Sequence, residues 1–324
     1  MFSEPAVPAN NYFFKHHLKH MNYSRRKFIK SASLIFTGAA IFSNRIFAGV
    51  KSQTIMGIQL YSLRDDMKKD PLGTLQLLSA IGYRYVEHAN YVDRKFYGYS
   101  AAEFKKVLDG LGIKMKSGHT VMSKKHWDAT KNDFTDAWKY TIEDAAVVGQ
   151  QYVISPSMDE KSRRDEGELK RFMEMFNKSG ELCKKSGMKF GYHNHDFEFS
   201  EKLNGVKLFD IILQNTDATV VAQQLDIGNM YHAGGIALDI LNQYPGRFEL
   251  MHVKDEIKIS DEGETGKYES TILGSGIIPV KEVIDLGKNS GGTIHFIVEQ
   301  ESYEGKLPID CAQEDFRIMK EWGY

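Results

Sequence analysis

From Ser52 onward the chain repeats one rhythm, a short apolar run ending in polar residues and then a longer segment with apolar side chains at helical spacing. The apolar runs fall at residues 55–60, 83–87, 113–118, 152–155, 188–192, 219–225, 248–251 and 293–298. Helical spacing follows at 71–81, 100–111, 134–148, 166–185, 206–213, 236–243 and 279–289, with a last helix after Pro308. Strands alternating with helices imply a parallel sheet, because each crossover returns the chain to the same edge direction. Eight such units imply closure into a (β/α)8 TIM barrel. An open doubly wound sheet is the rival, but no Gly-x-Gly-x-x-Gly follows the first strand. Composition does not shift between the halves, so the expectation is one barrel domain over residues 51–324.

A chain of 324 residues has room for two average domains, but one α/β barrel commonly takes about 250 residues. Net charge is −1 and the Lys and Arg residues are scattered, which excludes the dense basic footprint of a nucleic-acid surface. Two cysteines, Cys183 and Cys311, cannot build a disulfide framework and are expected to be free thiols in helices.

The first fifty residues stand outside this rhythm. After Met21 come Arg25, Arg26 and Lys27, then a moderately apolar stretch over 32–46 that ends in Phe47-Ala48-Gly49. A basic start, a short apolar run and a small residue at its end form an export signal, and the paired arginines resemble a twin-arginine signal. The run is too short and polar to span a bilayer, so no stable membrane insertion is expected after cleavage. The expected destination is the periplasm. Replacing Arg25 and Arg26 by Lys should hold the protein in the cytoplasm, uncleaved; normal secretion of that double variant, read by fractionation, removes the twin-arginine assignment.

In a parallel barrel the active site lies at the carboxyl ends of the strands. The polar residues that end the apolar runs are Gln59, Tyr61, Glu87, His88, His119, His193, His195, Asp226, His252, Lys254, Glu299 and Glu301. Six of the eight strands end in His, Asp or Glu, and closure gathers these ends into one mouth. His193, Asp226, His252 and Glu299, one from each of the last four strands, form a candidate metal set. Two imidazoles and two carboxylates suit one Mn²⁺, Co²⁺, Zn²⁺ or Fe²⁺ better than Mg²⁺. Residues i and i+2 share a strand face, so His195, Lys254 and Glu301 are alternatives to His193, His252 and Glu299.

The runs Gly57-Ile-Gln-Leu-Tyr-Ser-Leu-Arg64, Tyr192-His-Asn-His195, Leu225-Asp-Ile-Gly-Asn229, Met251-His-Val-Lys-Asp255 and Val298-Glu299 resemble the xylose-isomerase-like barrel superfamily. The nearest branch is that of the exported proteins labelled sugar phosphate isomerase/epimerase. The resemblance implies one divalent metal at the ends of strands five to eight, held in sugar epimerases by Glu, Asp, His and Glu. The last three map onto Asp226, His252 and Glu299. The first falls on His193, because the common Leu-Glu-Asn-His pattern here reads Tyr192-His193-Asn194-His195. That removes one of the two glutamates that ketose epimerases use on opposite faces of the substrate. Glu299 keeps the role of base, and its partner is to be sought among His195, Glu87, Lys254 or a metal-bound water.

The resulting expectation is a metal-dependent isomerase or epimerase of a sugar or keto-sugar, acting by proton abstraction beside a carbonyl. Lys254 would neutralise oxyanion charge, and Gln59, Glu87, His119 and Asn229 would hold hydroxyls. Tyr61, Tyr91 and Trp127 are candidate stacking platforms. Loss of a β-leaving group from the same intermediate gives the alternative, a lyase like the inosose dehydratases. A carbohydrate-binding barrel without turnover is a second alternative, and a nuclease of the AP endonuclease branch would need more ligands and a basic surface. An exported enzyme without a Gly-rich phosphate cradle is expected to meet a free sugar, a glycoside or an oxidised sugar.

Overall fold

The computed structural model of the protein describes residues 54–260 and 267–324. The basic pair and apolar run read as an export signal lie outside the described residues. The eight apolar runs form eight parallel strands: β1 Ile55–Gln59, β2 Tyr85–His88, β3 Lys114–His119, β4 Tyr152–Ser155, β5 Lys189–His193, β6 Val221–Asp226, β7 Leu250–Val253 and β8 His295–Val298. They close in sequence order, with β8 pairing β1 through Ile55↔His295 to Ile58↔Val298. Between and after them run α1 Pro71–Ile81, α2 Ala101–Gly110, α3 Asp136–Val148, α4 Glu166–Lys184, α5 Leu208–Asn215, α6 Ala237–Gln243, α7 Val280–Leu286 and α8 Pro308–Glu321.

Local chemistry sets several of these boundaries. Asp70 caps α1 by accepting from the Gly73 N–H, and Pro71 occupies the first turn, where its missing N–H costs nothing. Ser100 and Glu103 form a reciprocal capping box at α2. Outside the barrel, buried residues such as Trp138, Phe172, Phe176 and Phe190 pack α3 and α4 against the strands. Inside it, Tyr152, Ile154, Ala222, Leu250 and Ile297 form a separate cluster contributed by four strands. This plug supports the floor beneath the mouth. Cys183 and Cys311 are free and buried. Among the described residues no helix is long and apolar enough to cross a membrane.

The structure differs from the sequence reading chiefly in the loops at the strand ends. The Gly-rich stretch after β7 contains an antiparallel hairpin of Asp255–Ser260 and Lys267–Thr271. Its base is fixed by Asp255, whose carboxylate accepts from the N–H groups of Glu256, Gly274, Gly276 and Ile278. Val206–Lys207, read as the start of a helix, instead pairs with Lys202–Leu203. A three-stranded meander over Tyr91–Val92, Lys95–Phe96 and Tyr99–Ser100 follows β2. These short pieces have no long periodic run to betray them, since two-residue strands are set by their turns.

Candidate active site and metal centre

Barrel closure places the ends of β2, β3, β5, β6, β7 and β8 around one buried cluster. Pairing between β2 and β3 shifts after Val86, so that Glu87 faces Ser117; such bulges re-aim side chains near functional sites. Glu87 is fully buried and acts as a hub. Its carboxylate accepts from Gln59 Nε2 (2.8 Å) and Gln224 Nε2 (2.9 Å), and it lies 2.6 Å from His252 Nε2 and 3.0 Å from His119 Nε2. Gln59 is equally buried, and its Oε1 accepts from the Tyr61 N–H. Both residues, expected to hold substrate hydroxyls, have their polar atoms engaged beneath the mouth instead.

On the other side of His252, Nδ1 lies 3.1 Å from Glu299 Oε2 and 3.7 Å from Asp226 Oδ2. Asp226 is fully buried; its Oδ1 accepts from the N–H groups of Gly228 (2.8 Å) and Asn229 (2.7 Å). Its Oδ2 has no hydrogen-bond partner. Lys254 Nζ is 3.1 Å from Asn229 Oδ1, 3.4 Å from Glu299 Oε2, 2.8 Å from Glu301 Oε1 and 3.8 Å from Asp226 Oδ2. Gly228 makes room for it: a Cβ there would lie 2.7 Å from Lys254 Cγ and Cδ. His193 Nε2 is 3.8 Å from Asp226 Oδ2, while Nδ1 is 3.0 Å from Gln224 Oε1.

Charge explains the titration behaviour. Burial opposes ionisation of Asp226, but Lys254, His252 and His193 outweigh it and hold its pKa well below the ordinary range. The same contest leaves Glu299 lowered, through Lys254 and His252, and Glu87 well lowered, through His119 and His252. Burial opposes charge on His252 and Lys254 too, yet the surrounding carboxylates raise both pKa values well above normal. His193 and His195 go the other way, because burial dominates and neighbouring positive charge adds to it. Three buried carboxylates thus share two cations, His252 and Lys254. A buried carboxylate oxygen without a partner is costly.

The donor set fits a divalent cation. Gln224 donates to Glu87, so its Oε1 is the acceptor and His193 presents Nδ1–H to it, which leaves the Nε2 lone pair on the Asp226 side. An ion on the Asp226 and Glu299 side would displace the Nδ1 proton of His252 while its Nε2–H stays directed at Glu87. A histidine oriented by a carboxylate behind it is the usual support for a metal-binding imidazole. Asp226, His252 and Glu299 offer atoms within 4.8 Å of one another, whereas His193 groups instead with His119 and His252. Glu299, 5% exposed, is the member of its pair that joins this cluster, whereas Glu301 has a side chain 40% exposed.

Above the cluster opens a cavity of about 850 Å³. His119, His193, His195, Asn229 and Glu299 reach it, together with Tyr61 and Tyr91. Trp127 does not line it; it packs edge-on against Phe134, with the Lys178 ammonium 4.3 Å from its ring centre.

Sequence reasoning missed Gln224, whose Oε1 lies 2.7 Å from His119 Nε2 and 3.0 Å from His193 Nδ1. The signal was present, since Gln224 precedes Asp226 by two and shares its strand face. It also missed Asn194, which exchanges two hydrogen bonds with the Asp226 backbone. Glu198 was missed as well. Its buried carboxyl accepts from Tyr192 Oη–H and from the His195 N–H, pinning the loop that carries the His195 ring. Burial, outweighing those bonds, lifts its pKa from 4.5 to about 8. The folded protein therefore keeps a proton that the unfolded chain has lost. That contribution is full below about 4.5 and disappears as pH rises through about 8. Between pH 5 and 8 the melting temperature of Glu198→Gln should fall less than that of the wild type; parallel curves would rule out a buried protonated Glu198.

Comparison with known proteins agrees with this architecture. The sequence profile of the xylose isomerase-like TIM barrel family matches residues 75–322. Inosose dehydratase of Clostridium perfringens is 28% identical over 170 residues, which is 51% of this chain and 54% of that protein. The chain thus spans about half the length of such curated relatives. A sugar phosphate isomerase/epimerase from Parabacteroides distasonis ATCC 8503 superposes with a TM-score of 0.69 at 25% identity, covering 84% of this chain and 96% of that one. The zinc-bound IolI protein shares the fold, with a TM-score of 0.63 at 14% identity over 83% of this chain and 97% of its own.

Proposed function

The chain belongs to the xylose isomerase-like TIM barrel family, and from that premise we propose that it is a divalent-metal-dependent isomerase or epimerase of a sugar or keto-sugar. The observation that carries this reading is Glu299, an ionised carboxylate at the cavity floor beside His252 and the unpartnered Asp226 oxygen. His193, Asp226, His252 and Glu299 would hold the ion, and their two nitrogen donors favour Mn, Co, Zn or Fe over Mg. When bound, the ion supplies Lewis-acid polarisation of a substrate carbonyl. Zinc in a protein of the same fold supports that assignment.

The chain's own residues account for the rest. His119 and Asn229 reach the cavity with hydrogen-bonding atoms for hydroxyls. Glu299 removes the proton beside the carbonyl, and the Lys254 ammonium 3.4 Å behind it offsets negative charge developing on substrate oxygen. His195 reaches the same cavity from beyond β5, which β6 and β7 separate from β8, with Nδ1 unpartnered. A proton returned by His195 to the other face of the same carbon gives epimerisation; return to the neighbouring carbon gives isomerisation. Beta-elimination is the second reading, favoured by the similarity to inosose dehydratase. We further propose that the protein reaches the periplasm by the twin-arginine route.

Incubating the metal-loaded protein with free, oxidised and inosose-type sugars in D₂O separates these outcomes. Deuterium at the carbon beside the carbonyl with a new stereoisomer or a shifted carbonyl supports isomerase or epimerase chemistry. Loss of water supports elimination. Absence of exchange across every configuration leaves a binding protein.

A further inference from the structure

The lining of the cavity differs in chemistry with burial. Its more buried lining carries His119, His193, His195 and Glu299, whereas its more exposed lining carries Tyr61, Tyr91, Val92, Val121 and Tyr140 interleaved with Asn90, Asp93, Arg94 and Lys125. Among the described residues twelve large hydrophobic side chains are exposed, and four of them, Tyr61, Val92, Val121 and Tyr140, line this one cavity. Exposed apolar residues scattered singly need no explanation, but four that line one cavity do.

The outer wall is held rigid by one buried carboxylate. Asp144 accepts from Tyr91 Oη–H (2.6 Å) and from Arg94 Nε and Nη2 (2.9 and 2.8 Å). The Tyr91 ring packs on Phe96 at 4.8 Å, and the Arg94 guanidinium lies 4.2 Å from the centre of Tyr140. Tyr140 and Asp144 are one turn apart on α3, and Arg94 also lies 3.8 Å from Glu143, so one turn of the helix is tied to the meander. Asp93 and Arg94, at φ 50° and 62°, form the two-residue turn that brings the meander back. A preorganised aromatic wall of this kind suits a flat apolar ligand, because little side-chain entropy is lost on binding.

Size points the same way. Even at one water's share of roughly 30 Å³ per non-hydrogen atom, the dozen or so atoms of a hexose fill about 360 Å³. The cavity holds about 850 Å³. More than half of it remains beyond one sugar ring, room that the three tyrosines Tyr61, Tyr91 and Tyr140 help to line.

We propose that the outer half of the cavity is a subsite for an aromatic group carried on the sugar, so that the substrate class is aryl glycosides whose sugar ring is oxidised to a ketone, the carbonyl that the proposed chemistry needs. This rests on the reading of the more buried lining as a sugar site. Unoxidised aryl glycosides serve as probes of the subsite alone. The test measures dissociation constants of the full-length protein, as purified, for free pyranoses of several configurations and their 4-nitrophenyl glycosides. Each aryl glycoside that binds should do so at least about tenfold more tightly than its parent sugar. That ratio should fall toward one in Tyr140→Ala and in Val121→Asp, both at exposed positions where folding is not at stake. A ratio near one in the wild type, a ratio unchanged in both variants, or no binding of any aryl glycoside overturns the subsite. Deuterium exchange reports separately on the reaction. Exchange without aryl preference leaves the reaction and removes the subsite; aryl preference without exchange does the reverse.

Discussion

Glu299→Gln is expected to lose about 10²- to 10⁴-fold in turnover and in exchange of the substrate proton with D₂O, the range that general-base catalysis supplies. The amide keeps the side chain's length and an oxygen facing His252, but it cannot accept a proton. Glu299 lies 3.1 Å from His252 Nδ1 and 3.4 Å from Lys254 Nζ, so the substitution also removes one charge that those two cations balance. Most of the bound metal should survive, because His193, Asp226 and His252 remain. Glu299→Ala should lose metal as well, so the two variants separate ligand from base. Near wild-type proton exchange in the Gln variant would move the base to His195, since Glu87 is sealed beneath the mouth and Lys254 is held by three partners.

Asp226→Ala and His252→Ala should each abolish retention of the ion, taking its content from about one per chain to near zero after dialysis. His119→Ala should leave most of it. Metal analysis reads this directly, and thermal unfolding gives a second measure. An ion that binds only the folded state at a thousandfold excess over its Kd contributes about 4 kcal/mol, so chelation should lower the wild-type Tm and barely move that of Asp226→Ala. Full occupancy in both ligand variants would place the ion elsewhere.

The barrel was legible because most of its parallel strands, such as Tyr152–Ser155, Leu250–Val253 and His295–Val298, are buried on both faces and so read as apolar runs. Asp226, His252 and Glu299 were legible because a charged residue ending such a run must sit at the mouth. Gln224 was passed over although its spacing from Asp226 selects it over Gln223; only closure shows that it meets His119 and His193. Glu87 was read at the right strand end but in the wrong setting, because its partners lie on β1, β3, β6 and β7. Nothing in the chain order says that those four strands converge on it. The hairpin after β7 was missed for another reason: its fixed point is a carboxylate, Asp255, gripping four N–H groups, rather than any hydrophobic pattern.

The position of Glu87 also bears on how the chain can be assembled. Its carboxylate belongs to the second strand, while the histidine nearest to it, His252 at 2.6 Å, comes 165 residues later. During synthesis the first half of the barrel is complete long before β7 emerges. Until then Glu87 has only His119 of the eventual pair of imidazoles, and packing it away from water is unfavourable. A half-barrel ending after β4 is therefore expected to stay open and hydrated at its centre. The final strands would then close the ring and neutralise the charge together, so the barrel is expected to fold as a single cooperative unit.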